Sequence, residues 1–256
     1  MEERAMAIQK MVSRISGILE DCHPSIYLYG SLILNDFRLG WSDIDILVLN
    51  EKRMSAIQAE MLVGLRQEML EEEPDNTYYR FFEGGMLTLD AFLSGKGDLV
   101  VYWGTSGEQI TNTYVLDSFG RAELVESSAL LYGKDIRGLL KAPDWKELYA
   151  DVERHYKAIR KYARKTERNF YSFGWLLDIA RCIYTLRTGK IIAKTEAAEW
   201  ALKNDLCPDA DALRYALKVR RDPLGHRDER TFDYAETLAE PIRRFADVLE
   251  RELKDI

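Results

Sequence analysis

Cysteine is scarce. Cys22, Cys182 and Cys207 are odd in number and widely spaced in 256 residues, which excludes a disulfide framework or a cysteine metal site and suits a reducing cytoplasm. Histidine is equally sparse. His23, His155 and His226 leave little material for a Ser-His-Asp or Cys-His nucleophile, and no such arrangement stands out. No apolar run approaches the roughly 20 residues needed to cross a bilayer, and the opening MEERAMAIQKMVSRI mixes acids with bases in a helical pattern unlike a secretion signal. Positive charge is short in one half only. Residues 1–140 carry 12 Lys/Arg against 22 Asp/Glu, whereas residues 141–256 carry 24 against 21. An acidic first half suits a cationic small-molecule partner and speaks against nucleic acid, although solubility alone would also explain it. The 46% hydrophobic and 31% charged content is ordinary for a globular chain with room for one large domain or two modest ones.

What is there is concentrated in Ile26–Leu49, IYLYGSLILNDFRLGWSDIDILVL. Two apolar runs, Ile26–Tyr29 and Ile44–Leu49, read as neighbouring strands of a sheet covered on both faces. Side chains alternate along a strand, so Asp43 and Asp45 point the same way. Two adjacent carboxylates raise each other's pKa unless a cation lies between them. Magnesium suits them, since it takes one or two carboxylates together with phosphate oxygens. Gly30 allows close backbone approach, and Ser31 offers a hydroxyl and an N–H. A helix starting at about Ser31 or Leu32 would turn its free N–H groups toward phosphates. Gly-Ser or Asp-x-Asp alone carries little information. In this order, GS followed by SDIDILV resembles the nucleotidyltransferase superfamily, whose fold DNA polymerase beta shares with the antibiotic nucleotidyltransferases.

Ahead of that stretch, residues 2–20 read as a helix, ended by His23-Pro24. Residues 51–73 predict a second helix with Ile57, Met61, Leu65 and Met69 on its apolar stripe. The run Met86–Phe92 alternates as a strand, which puts Asp90 on the face of Met86 and Thr88. In the superfamily a third carboxylate comes from the strand beside Asp-x-Asp, and strand phase favours Asp90 for that place. Glu83 competes, but it precedes Gly84-Gly85, where a turn is expected. Trp103 reads equally as core or as substrate wall. A last strand is expected to end at Tyr132-Gly133. A domain boundary follows near Lys141–Asp144, giving domains at 1–142 and 143–256. The expected architecture is an α/β, DNA polymerase beta-like nucleotidyltransferase domain followed by an all-α helical bundle.

Beyond residue 145 only helices are expected. Arg154, Lys157, Lys161, Arg164, Lys165 and Arg168 form a basic face, in the plain case solvated and otherwise attractive to ATP phosphates. In Trp175–Leu202, WLLDIARCIYTLRTGKIIAKTEAAEWAL, one helix closes at Thr188-Gly189 and another begins at Thr195. Periodicity alone makes this a helical hairpin. It also closely resembles the C-terminal domain of the streptomycin/spectinomycin adenylyltransferases. The RxxxxH spacing of Arg221–His226 also occurs in helical nucleases. Pro223 and Gly225 break the helix that motif needs.

The resemblance spans nearly the whole chain and implies a cytoplasmic enzyme moving AMP from Mg-ATP to an acceptor hydroxyl. It implies that Asp43 and Asp45 hold magnesium and that Gly30 and Ser31 form the triphosphate turn. It places Lys194 against the ATP phosphates, and Asp90 where the family has a glutamate base. The aromatic run Asn169–Trp175 lacks the acids that hold the drug in streptomycin-type enzymes. The expected partners are the nucleotide and a cationic small molecule of aminoglycoside type.

Overall fold

The structure is a computed structural model describing residues 2–104 and 107–255. The chain forms two compact units, one of Met1–Ile33 and Asp43–Ala142, the other of Leu34–Ser42 and Pro143–Ile256.

The first unit is α/β. It runs α1 (Glu2–Ile18), β1 (Pro24–Tyr29), β2 (Ile44–Asn50), α2 (Ala56–Glu72), β3 (Phe82–Thr88), α3 (Leu89–Ser94), β4 (Val100–Gly104), β5 (Gly107–Thr111), α4 (Ser118–Ser127) and β6 (Ala129–Tyr132). The mixed sheet has the order β5-β4-β3-β2-β1-β6. Among the described residues only β2 and β3 pair in parallel, with Asp45 opposite Glu83. Every residue of β1 is buried, as expected for a strand covered on both faces. Tyr27, Leu47, Leu49, Leu87, Val100 and Leu124 fill one side of the sheet. Trp103 is core, fully buried, with its indole N–H donating to the Leu62 carbonyl at 3.0 Å.

Helix α2 corrects the predicted stripe. Ile57 and Met61 are exposed, and the buried face is Ala59, Leu62, Leu65, Arg66 and Met69. Arg66 accounts for the rotation. Its guanidinium is satisfied inside by Glu108 and the Phe82 carbonyl, both at 2.6 Å, so a charged position joins the inner face. A capping box between Ser55 and Gln58 fixes the start of the helix.

The second unit is helical: α5 (Trp145–Tyr162), α6 (Tyr171–Thr188), α7 (Lys194–Lys203), α8 (Ala210–Arg221), α9 (Glu229–Glu236) and α10 (Ala239–Lys254). Helix α6 is the central one, packing against the other five. Its C-cap is Gly189 at φ 68°, a left-handed position that glycine adopts without penalty.

The segment Leu34–Ser42 lies in this helical unit and not in the first, a correction to the contiguous division at 142/143. Its anchor is Asp36, almost fully buried, whose carboxylate accepts from Arg220 at 3.0 Å and from the Thr195 hydroxyl at 2.6 Å. Trp41 stacks on Phe170 with ring centroids 5.2 Å apart, and the Arg220 guanidinium lies over the Trp41 ring. Arg227 donates to the Gly40 carbonyl at 2.8 Å. Long-range polar partners of this kind leave no periodic trace in sequence.

Candidate active site

In the first unit the geometry converges on Asp45. On β2 it is flanked by Tyr29 of β1 and Glu83 of β3. Gly30 follows Tyr29 at φ 71°, and a Cβ there would lie 2.1 Å from Asp45 Oδ2. Glycine is therefore required twice, for its backbone angle and for its contact with the carboxylate. Ser31 lies in a single 3-10 turn, Gly30–Leu32, instead of opening an α-helix. Its backbone N–H bonds to Asp45, and its hydroxyl meets the Asp43 carbonyl at 3.5 Å. Gly30, Ser31, Asp43 and Asp45 thus form one cluster, with Asp43 exposed at the mouth of β2.

Asp90 is not part of it. Strand β3 ends at Thr88, whose side chain accepts from the Ala91 N–H at 3.2 Å and starts α3. Asp90 is exposed in the first helical turn. The sequence MLTLDAF fits both periods, and packing decides in favour of the helix: Leu89, Ala91 and Phe92 settle onto the core. Glu83 occupies the strand beside Asp45 instead. The expected turn at Gly84-Gly85 is a strand in which glycine permits close packing. At φ 145°, a Cβ on Gly84 would lie 1.7 Å from the Ile46 carbonyl oxygen, and one on Gly85 would strike the Tyr114 ring.

The electrostatics are one-sided. Burial, then Asp43, Glu123 and Glu83, push the Asp45 carboxyl well above the usual carboxylate range, with only the Ser31 N–H opposing. Tyr102 donates to Glu83 Oε1 at 2.9 Å. Burial and the Glu83 charge push the Tyr102 phenol up to about 12, keeping it a donor. This bond fixes one Glu83 oxygen. Glu123, buried on α4, gave no sequence signal.

Among the described residues no three His, Cys, Asp or Glu side chains gather closely enough to hold a metal unaided. Asp43 and Asp45 are hard oxygen donors in a field that ionises Asp45 only at a cost. They fit a divalent ion whose remaining ligands are water and phosphate oxygens.

In the helical unit, Lys194 is the first residue of α7, one position ahead of the predicted start. Its ammonium lies 2.9 Å from Asp178 on α6, and Arg181 lies 3.8 Å from the same carboxylate. Burial would lift Asp178, but Lys194, Arg181 and His155 outweigh it and hold its carboxyl below the ordinary range. Three of the six residues in the basic face of α5 and the stretch after it form ion pairs within the unit. Arg154 meets Asp151, Lys157 meets Glu153, and Arg168 meets Glu229 and Asp233. In the aromatic run, Phe173 is buried and Phe170 carries Trp41. His226 bonds the Asp222 carbonyl beyond the end of α8, outside any continuous helix shared with Arg221.

Residues 139–249 match the sequence model of the aminoglycoside adenylyltransferase C-terminal domain. The fold is similar to that of the spectinomycin adenyltransferase AAD(9) from Enterococcus faecialis, solved with ATP and spectinomycin. The TM-score is 0.70 at 16% identity, covering 93% of this chain and 96% of that one. No curated protein sequence matches this chain. No helix among the described residues is long and apolar enough to cross a membrane.

Proposed function

We propose, from the match of residues 139–249 to the aminoglycoside adenylyltransferase C-terminal domain, that this chain transfers AMP from ATP to a hydroxyl of an aminoglycoside-type antibiotic. The observation that carries this reading is the Asp45 cluster, where a glycine turn and a strand acid touch beside a second strand acid. Asp43 and Asp45 would hold magnesium, which when bound neutralises the triphosphate and polarises the α-phosphate. The Gly30-Ser31 turn would orient the phosphates, and Lys194 keeps the nucleotide-binding role that the family resemblance implies for it. Glu83, held through one oxygen by Tyr102, would take the proton of the acceptor hydroxyl. A new O–P bond forms at the α-phosphorus as the bond to pyrophosphate breaks. A base so placed contributes roughly 10²–10⁴-fold; positioning supplies much of the rest. The acidic first half of the chain favours a cationic acceptor over a polyanionic one.

The test is incubation with Mg-ATP and a panel of spectinomycin, streptomycin, other aminoglycosides and lincosamides, reading pyrophosphate release and acceptor mass. An AMP adduct on one drug, absent with Asp43→Asn, is the expected result. Tight ATP binding with no adduct on any drug would remove the antibiotic acceptor. No nucleotide binding would remove the reaction as well.

A further inference from the structure

Tyr102 reaches Glu83 along a diagonal of the sheet. It lies opposite Gly85 on β3, and Glu83 is two places from Gly85, so both side chains rise from the same face. Diagonal neighbours in an antiparallel pair stand roughly 7–8 Å apart, within range of an aromatic side chain. The path crosses Gly104, two places along β4 from Tyr102. A Cβ on Gly104 would lie 2.4 Å from the Tyr102 hydroxyl and from its Cε1, so the ring runs across bare backbone. Beside it Tyr114 covers Gly85, where a Cβ would stand 2.8 Å from its ring carbons, and the two tyrosine centroids are 6.0 Å apart. Two glycines thus make room for two rings, and the Tyr102 hydroxyl is left 2.9 Å from Glu83 Oε1. All of these residues belong to the first unit.

We propose that Tyr102 is a positioning residue for Glu83, with Gly104 as the seat that gives its ring this reach. This rests on the reading that Glu83 takes the proton of the acceptor hydroxyl. A free glutamate side chain spreads over many rotamers. An ionised Asp45, set opposite on β2, favours those turned away from it. The Tyr102 hydroxyl opposes that drift, since a hydrogen bond to a charged acceptor is strong and directional. Burial and the Glu83 charge keep the phenol protonated, so it donates and does not compete for the acceptor's proton. Tyr102 acts through Glu83 and not on the substrates.

The experiment is steady-state and single-turnover kinetics of the full chain with Mg-ATP and the acceptor identified by the panel. The variants are Tyr102→Phe, Gly104→Ala, Glu83→Gln, and each of the first two combined with Glu83→Gln. Tyr102→Phe keeps the ring and removes the donor. It is expected to lower kcat about tenfold, a fraction of what the base contributes, with KM for both substrates within about twofold of wild type. Gly104→Ala should displace the phenol and lose kcat in the same way. In the Glu83→Gln background both substitutions should change the single-turnover rate by less than about twofold, because residues acting through one another are not additive. Equal losses with and without Glu83 would mark a merely structural role and overturn the proposal, as would wild-type kcat in Tyr102→Phe. Wild-type kcat in a folded Gly104→Ala would overturn the seat. Two results reach the reading beneath it instead. Wild-type turnover in Glu83→Gln removes the base, and no adduct on any acceptor removes the reaction, each taking the proposal with it. A cooperative thermal melt at the wild-type signal shows that each variant compared is folded.

Discussion

Removing the Asp36 carboxylate is expected to cost the helical unit more than removing its partner Arg220. Both side chains are 4% exposed, with nitrogen and oxygen 3.0 Å apart. In Asp36→Ala the guanidinium keeps the residue-36 carbonyl at 2.9 Å, the face of Trp41 and the attraction of the Asp178 charge, with no carboxylate in hydrogen-bond contact among the described residues. A buried cation stripped of its counter-ion costs about 3–5 kcal/mol. In Arg220→Ala, Asp36 keeps two bonds from Thr195 and has Arg38 at 3.6 Å, on a partly exposed side chain. That loss should be roughly half as large, since charge-assisted bonds still compensate the acid. The assay is urea unfolding followed by near-UV circular dichroism, to which the stacked Trp41 and Phe170 contribute. With a slope of about 1–3 kcal/mol per molar urea, Asp36→Ala should move its midpoint down by more than about 1 M. Asp36→Leu with Arg220→Met should restore most of the loss, because matched apolar replacement removes both desolvation penalties. A cost under about 1 kcal/mol for Asp36→Ala, or a larger one for Arg220→Ala, would refute the reasoning.

Glu83→Gln should lower turnover by roughly 10²-fold or more, whereas Asp90→Asn on the exposed turn of α3 should leave it near wild type; single-turnover rates of both variants decide between them. Asp45→Asn should abolish transfer yet raise the melting temperature of the metal-free chain, because it removes a charge that burial and three acids oppose. A melt in EDTA reads this, and a lower temperature would contradict the electrostatic account. Gly30→Ala should lose activity and about 1–3 kcal/mol of stability, from the left-handed backbone and the clash with Asp45, as denaturant titration would show.

The short-range features were legible in the sequence. The strands around Asp-x-Asp, the glycine turn and the C-cap at Gly189 depend on neighbours within a few positions, and propensity and period report on those. Asp90 reads as a strand residue because alternation over seven residues cannot separate a strand end from a short helix, and Glu83 reads as a turn residue because Gly84-Gly85 follows it. The deciding bond, from the Ala91 N–H to the Thr88 hydroxyl, is a capping signal hidden inside the apparent strand. The α2 stripe was misread because Arg66 counts as polar in any pattern, yet lies inside once Glu108 neutralises it. Asp178, Glu123 and Asp36 were silent for a related reason: their partners come from other elements. Asp36 and Arg220 stand 184 positions apart, a pairing that single-sequence periodicity does not encode.

The embedding of Leu34–Ser42 among the late helices has a consequence for biosynthesis. A ribosome delivers the chain in order, so Asp36 and Trp41 emerge long before Phe170, Thr195 and Arg220 exist. At about 5–20 residues per second, the 184 residues from Asp36 to Arg220 take roughly 10–40 s to make. Over that interval the nascent chain carries an acid and an indole with no home. A gene cut at 142/143 would make that wait permanent and leave the downstream piece with Arg220 lacking the Asp36 carboxylate. The helical half is thus a folding unit written in two places, and its last step falls due only when synthesis is nearly over.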